Sequence, residues 1–194
     1  MRRLVLIALL LTGCATITPD PRPVTQRHEL LNIRVATRTS FSREVGIRAA
    51  GDEDVFRSLL EQCGPFQEVN DSSAGRPLGD LHAALRVLTQ EYRSDPHELL
   101  KVYATAFSFM LLSPFIRYHE SLVVAGALDL ASSDGRVIKT YAETGRARLD
   151  RAVLDFRWTP VEAAARAALE SLSARLISGL WRDYEKWRRV AKGA

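Results

Sequence analysis

The sequence predicts an α+β fold in which a mainly antiparallel sheet packs against two principal helices. Residues 31–38 and 81–92 alternate apolar and polar side chains with a period of two, which is typical of strands with one solvated face. Two other stretches place apolar residues at helical spacing between start and stop signals. The strands are grouped along the chain, so the order favours a sandwich with the helices on one side of the sheet.

The first helix is predicted to open at Gly51-Asp52-Glu53 and to end at Gly64-Pro65. We expect Gly64 to supply a left-handed cap and Pro65 to prevent continuation. A short strand over residues 66–69 and a polar loop over residues 70–79 follow. The apolar face of this helix comprises Val55, Phe56, Leu59, Leu60 and Cys63.

A hairpin is predicted in the second half of the chain. Residues 120–131 are largely apolar and favour a strand, and residues 136–147 form a second strand candidate. The turn at Asp134-Gly135 between them is the strongest local signal for a hairpin.

A long helix is predicted to close the chain and to run to about Lys186. Thr159 is its expected N-cap, Pro160 takes the first helical position, and Glu162 completes a capping box. An apolar stripe along it predicts one buried face. The stripe comprises Val161, Ala165, Ala168, Leu169, Leu172, Leu176, Ile177 and Leu180.

The N-terminus has the features of an export signal. Arg2 and Arg3 form a short basic region, and residues 4–11 form an unbroken apolar run. That run is too short to span a bilayer, which takes about 20 residues, but it fits the apolar part of a signal peptide. The next residues, Leu11-Thr12-Gly13-Cys14, resemble the lipobox of bacterial lipoproteins. The alternative is an ordinary signal peptide followed by a chance cysteine.

The lipobox resemblance implies that Cys14 is the modified residue. Its thiol takes a diacylglycerol, the peptide before it is cut, and the new amino group is acylated. Several acyl chains hold a protein at a membrane durably, whereas one chain binds only marginally. We therefore expect the chain to reach a membrane through Cys14. In enteric-type bacteria an Asp at the next position resembles an inner-membrane retention signal; Ala15 stands there, so we expect the outer membrane, facing the periplasm.

Three segments are expected from this organisation. Residues 1–13 are predicted to be the signal peptide. Residues 14–27 are predicted to be the acylated cysteine and a flexible tether, because three prolines fall within five residues and no apolar periodicity is present. Residues 28–194 are predicted to form a single α+β domain, which is long enough to bury a core without disulfides or metal.

Residues 99–116 form an unusually apolar segment, whose one charge is Lys101. The segment is compatible with a buried helix or strand that ends at Ser113-Pro114, with an amphiphilic flap on a membrane or partner, or with a transmembrane span of marginal length. An exposed apolar patch of this size would mark an interaction surface. The interaction candidates in it are Phe107, Phe109, Met110, Leu111, Leu112 and Phe115.

Trp181, Tyr184 and Trp187 are a second set of interaction candidates, because they lie three residues apart among basic residues near the C-terminus. One interpretation is a helix end that packs back on the sheet. The other is an aromatic and basic patch for anionic lipid, for peptidoglycan-associated partners or for protein.

No motif in the sequence assigns catalysis, a cofactor or a metal. There is no phosphate-binding glycine loop, no zinc pattern and no Gly-x-Ser-x-Gly elbow. Asp129, Asp134 and Asp150 are acid–base candidates that nothing pairs, so we interpret them as solvated or turn carboxylates. Beyond residues 1–13 there are 25 basic and 23 acidic residues, which is too weak a charge to favour nucleic acid. We expect no enzyme, no cofactor and no metal.

Three further features carry a resemblance in layout. They are the helix break over residues 60–69, the Ser133-Asp134-Gly135 turn and the closing Thr-Pro-x-Glu helix. Together they resemble small envelope lipoproteins with a curli-assembly-factor-like α+β domain, a plan that the penicillin-binding-protein activator lipoproteins share. No site residue is carried across by this resemblance, because layout alone does not assign function.

Two functions are compatible with these observations. The first is a periplasm-facing outer-membrane lipoprotein that acts as a binding, adaptor or assembly component for an envelope protein. The alternative is a lipid-handling auxiliary lipoprotein of an envelope transport system, in which residues 99–118 line or gate an acyl-chain groove.

Overall fold

A computed structural model describes residues 15–20, 29–47, 51–71, 80–94, 96–107, 117–152 and 159–193. Within these residues the chain forms six strands and four helices. The strands are β1 (Thr16–Pro19), β2 (Leu31–Phe41), β3 (Phe66–Asp71), β4 (Leu81–Ser94), β5 (Arg117–Ser132) and β6 (Val137–Ala152). The helices are α1 (Asp52–Cys63), α2 (Pro96–Phe107), α3 (Thr159–Arg182) and α4 (Tyr184–Gly193).

All six strands belong to one curled sheet, in the order β1-β6-β5-β4-β2-β3. The three pairs that β1, β6, β5 and β4 form are antiparallel, whereas β2 is parallel to both of its neighbours. Parallel pairing of β2 and β3 follows from the crossover through α1 that connects them. The predicted α+β fold is confirmed, and so is the predicted hairpin, in which β5 turns into β6 with Gly135 at a φ of 84°.

The core lies between the sheet and the helices α1 and α3. Every residue of the predicted apolar stripe on α3 is buried. It meets fully buried side chains from the other elements, such as Phe56 on α1 and Leu128 on β5. Gly145 on β6 allows α3 to approach closely, since a Cβ at that position would lie 2.1 Å from the carbonyl oxygen of Ala168. Burial of each large apolar side chain contributes about 1.5–3 kcal/mol, so this layer dominates the stability of the fold.

The two glycines that flank α1 differ in role from the expectation. Gly64 adopts an extended conformation with φ −76° and ψ 168°, so the predicted left-handed cap is wrong. Glycine is needed there for space, because a Cβ would lie 2.3 Å from the carbonyl oxygen of Leu60, which accepts the Gly64 N–H at 2.8 Å. The left-handed residue is Gly51, which precedes the helix with a φ of 83°.

The closing helix is interrupted, whereas the sequence predicted one helix to about Lys186. α3 ends at Arg182, and Asp183 lies in the turn before α4. The Asp183 carboxylate accepts hydrogen bonds from Lys139 and Tyr141 on β6, which hold the chain at this point. The turn then directs Trp187 into the core, where its side chain is 0% exposed.

β1 lies inside the segment predicted to be a flexible tether, residues 14–27. Thr16–Pro19 pair antiparallel with the last part of β6, and Ile17 packs partly buried against the core. Asp20 follows, and its carboxylate forms an ion pair of 2.9 Å with Arg175 on α3. The predicted tether therefore begins with a strand, because its β-branched residues complete the edge that β6 offers.

Candidate functional site

The most exposed large apolar side chains of the described residues lie on α2. Leu100 is 65% exposed, Tyr103 is 61% exposed and Phe107 is 83% exposed. The helix begins at Pro96, a residue favoured at the first helical position. It continues through residues that mostly have good helix propensity, such as Leu, Lys and Ala.

These three residues form one face of α2. Their spacing is i, i+3 and i+7, which at about 100° per residue places them within a narrow stripe. Lys101 projects about 100° away from Leu100 by the same geometry, and its Nζ donates to the carbonyl oxygen of Arg117 at 3.3 Å. That contact directs Lys101 towards the start of β5, whereas Leu100, Tyr103 and Phe107 face solvent. We call Leu100, Tyr103 and Phe107 the α2 face.

α2 lies at the end of the sheet where the N-terminal strand begins. It connects the end of β4 to the start of β5, and Glu120 near that start pairs with Ser94. Thr16, the first residue of β1, pairs with Asp150 near the end of β6, and Asp150 in turn pairs with His119 on β5. We call this edge, formed by the starts of β1 and β5 and the ends of β4 and β6, the α2 end of the sheet.

Charged groups at the α2 end are held in pairs. Asp150 contacts the Nδ1 of His119 and accepts a hydrogen bond from Arg148 at 2.9 Å. Burial opposes ionisation of Asp150, but the hydrogen bonds from His119 and Arg148 outweigh it and lower the pKa of this carboxyl. Tyr92 donates to Glu120 at 3.0 Å across the β4–β5 pair. These contacts connect neighbouring strands at the α2 end of the sheet.

The other two carboxylates considered as acid–base candidates also have local partners. Asp129 accepts from Thr140 at 2.6 Å and forms an ion pair of 2.7 Å with Arg86. Asp134 accepts from Ser132 within the hairpin turn, and this hydrogen bond lowers the pKa of its carboxyl. Each contact stabilises a strand pair or a turn of the sheet.

The described residues form neither a metal site nor a membrane-spanning helix. The residues that the structure describes contain no group of three or more His, Cys, Asp or Glu side chains placed to hold a metal ion. Over those same residues, no helix combines the length and the apolar character that crossing a bilayer requires.

The C-terminal aromatic candidates fasten α3 and α4 to the rest of the fold. Trp181 donates its indole N–H to the carbonyl oxygen of Cys63 at 2.7 Å, and Tyr184 donates its hydroxyl to the carbonyl oxygen of Glu29 at 2.7 Å. The two rings stack with centroids 5.5 Å apart. Because Trp187 is buried, the three residues are arranged as a helix end that packs back on the fold, one of the two interpretations of their spacing.

The structure separates the sequence-derived candidates into three groups. Phe107 is exposed on the α2 face. Trp181 at the C-terminal end of α3, and Tyr184 and Trp187 on α4, contact the fold. Cys14 and five apolar candidates lie outside the described residues; these are Phe109, Met110, Leu111, Leu112 and Phe115.

Two residues of the α2 face were not singled out from the sequence. Leu100 and Tyr103 lie within the apolar segment, but they precede the run of residues 107–115 that contains its interaction candidates. Their i, i+3 and i+7 spacing with Phe107 is the signal that would have identified them. The interpretation of the whole segment as buried does not hold for this face.

No family model matches the chain. No curated protein matches it either. A minor lipoprotein from Acinetobacter baumannii is similar in structure, with 12% identity and a TM-score of 0.46 over 80% of this chain and 95% of that one. A Helicobacter pylori homolog of neuraminyllactose-binding hemagglutinin has 9% identity and a TM-score of 0.45 over 90% and 97%. Uncharacterized lipoprotein B from Nitrosomonas europaea has 11% identity and a TM-score of 0.39 over 87% and 94%. Likenesses of this degree carry no argument about function.

Proposed function

We propose that this chain is a lipid-anchored lipoprotein of the bacterial envelope that works by binding and not by catalysis. The observation that carries the proposal is the α2 face, an outward stripe of Leu100, Tyr103 and Phe107 on a helix whose Lys101 contacts the start of β5. A large apolar side chain gains about 1.5–3 kcal/mol when it is buried. Three of them left in water on one stripe indicate a surface that another molecule covers.

The position of the N-terminus supports the anchoring part of the proposal. The lipobox resemblance makes Cys14 the acylated residue, and β1 begins two residues later. Acyl chains on Cys14 would thus be attached to the α2 end of the sheet. The anchor and the exposed apolar face would act at the same end of the molecule.

The polar residues support a role in binding. The carboxylates of Asp129, Asp134 and Asp150 accept hydrogen bonds or form ion pairs that stabilise the sheet. Among the described residues, the three most exposed large apolar side chains lie together on the α2 face. The proposed role is therefore that of a binding or assembly component at the outer membrane, facing the periplasm.

Paired cysteine variants test the anchor. Cys14→Ala removes the acylated residue, and we expect the protein to leave the membrane fraction or to remain as an uncleaved precursor. Cys63→Ala is the matched control, since it removes the other cysteine, which lies half-buried at the end of α1. Membrane fractionation locates each protein, and its size is measured in each fraction. The control should have the same size and fraction as the native protein. A Cys14→Ala protein of mature size in the membrane fraction would contradict the proposal.

A further inference from the structure

We infer that the surface which covers the α2 face is the lipid bilayer that holds the acylated Cys14. The inference rests on the proposed function, because it takes the anchor as given. It assigns Leu100, Tyr103 and Phe107 to the interfacial layer of the membrane, beneath the lipid headgroups. It follows from the length of chain between the anchor and the sheet, from the attachment of β1 to β6 and α3, and from the composition of α2.

The chain between Cys14 and the sheet is very short. Cys14 precedes Thr16 by two residues, and an extended chain spans at most about 3.6 Å per residue, so their Cα atoms lie within about 7 Å of each other. In the chemistry that the lipobox implies, one acyl chain is bonded to the backbone nitrogen of Cys14. The backbone at this residue is therefore at the level of the headgroups, and Thr16 is close above it.

β1 is firmly attached, so the domain cannot move away from the anchor on a loose tether. Its four residues pair with β6 in register, and the N–H of Asp20 donates to the carbonyl oxygen of Arg146 at 3.1 Å. The Asp20 carboxylate also forms the ion pair with Arg175 on α3. The strand that leads to the anchor is therefore fixed to both layers of the fold.

The gap left beneath the α2 end is too small for another protein element. β5 begins at Arg117, which Lys101 of α2 contacts. It lies two strands from β1, or about 10 Å at the usual strand spacing. The chain allows about 7 Å between the anchor and Thr16, whereas a helix with its side chains is about 10 Å across. A helix of another protein would be wider than the gap that this length of chain leaves between Thr16 and the headgroups.

The composition of α2 suits an interface between water and hydrocarbon. Leu100 and Phe107 are purely apolar, and Tyr103 between them carries an apolar ring with a polar tip, a type of residue favoured at membrane surfaces. Lys101 lies at the side of the face, and the exposed Arg117 follows at the start of β5. Cationic side chains at the rim of an apolar face favour headgroups that carry phosphate.

Fluorescent probes at the α2 face test the inference. The acylated protein is incorporated in vesicles of phosphatidylethanolamine and phosphatidylglycerol, in a Cys63→Ala background so that the introduced thiol alone is labelled. Ala104→Cys carries a nitrobenzoxadiazole probe beside an intact α2 face, since Ala104 is exposed on the same helix. Phe107→Cys carries it on the face itself. Ser133→Cys, in the exposed turn between β5 and β6 at the far end of the sheet, is the matched control.

The outcomes separate the inference from the proposed function. We expect the probes on α2 to be quenched by lipids brominated in their acyl chains, and to be at least about threefold less sensitive to aqueous iodide than the probe at Ser133, because an apolar layer excludes a free anion. Protein that floats with the vesicles while all three probes respond equally to iodide would overturn the inference and leave the anchor intact. Protein that carries no acyl chain and does not float would overturn both.

Discussion

Asp183 joins the C-terminal helices to the sheet through two side chains of β6. Its carboxylate accepts hydrogen bonds from the Nζ of Lys139 and, at 2.6 Å, from the hydroxyl of Tyr141. Burial opposes ionisation of Asp183, but the hydrogen bonds from Lys139 and Tyr141 outweigh it and lower the pKa of the carboxyl. Burial and the neighbouring Asp183 charge raise the pKa of Tyr141. The ionised carboxylate therefore stabilises the turn that separates α3 from α4.

Asp183→Asn should lower the free energy of unfolding by about 1 kcal/mol at neutral pH, since it removes the charge that both partners use. A carboxyl with a lowered pKa stabilises the fold above its unfolded pKa of about 4, and this contribution is lost as the pH falls towards the folded pKa. The difference between the variant and the native protein should thus shrink below about pH 4. Denaturant titrations at several pH values measure this difference in the free energy of unfolding.

Glu185→Gln is the control for that change. Glu185 lies two residues further on, and its side chain is 74% exposed beside Arg188. Exposed ion pairs of this kind contribute little to stability. The free energy of unfolding of Glu185→Gln should therefore equal that of the native protein at every pH. An Asp183→Asn variant as stable as Glu185→Gln at neutral pH would contradict the role given to Asp183.

The aromatic residues near the C-terminus show where prediction from local sequence stops. Their regular spacing left two interpretations open, a helix end packed on the fold or a binding patch. The choice depends on the break at Asp183, whose partners Lys139 and Tyr141 lie more than 40 residues earlier in the chain. Helical periodicity contains no information about such distant contacts.

At the scale of elements, α2 differs from α1 and α3 in the function of its apolar residues. The stripe of α3 is buried against the sheet and was predicted residue by residue from its spacing. The α2 face has the same kind of spacing but projects outward. Sequence shows that a helix has an apolar face, yet only the position of the helix shows whether that face contacts the core.

Replacing the α2 face should leave the fold almost unchanged. Leu100→Ser, Tyr103→Ser and Phe107→Ser together should change the free energy of unfolding in detergent-free buffer by no more than about 1 kcal/mol, because exposed side chains make few contacts to lose. Leu122→Ser, on β5 and 1% exposed, should cost about 3 kcal/mol or more. Chemical denaturation followed by circular dichroism compares them. A large loss of stability in the triple variant would mean that the α2 face is part of the core.

The strands were predicted better than their ends. Alternation located β2 and β4, and the Asp134-Gly135 turn located the β5–β6 hairpin. β1 was not predicted, because four residues that end at Pro19 are too few to show a periodicity of their own. Its strand conformation depends on the edge of β6, a partner about 130 residues later in the chain.

In the described part of the whole molecule, the helices α1 and α3 cover one face of the sheet. Arg34, Arg86 and Arg148 alternate with buried residues along their strands, so they project from the face opposite α1 and α3. With the α2 end against a bilayer, the strands would extend away from the membrane, and these three arginine side chains would remain in contact with solvent.

Acylation of Cys14 can be read from the mass of the mature N-terminal peptide. We expect a peptide that begins at Cys14, with a diacylglyceryl group on the thiol and an acyl chain on the amino group. An unmodified peptide, or a mature chain that begins at a different residue, would contradict it. Either result would mean that no acylated Cys14 holds the α2 end of the sheet at a membrane.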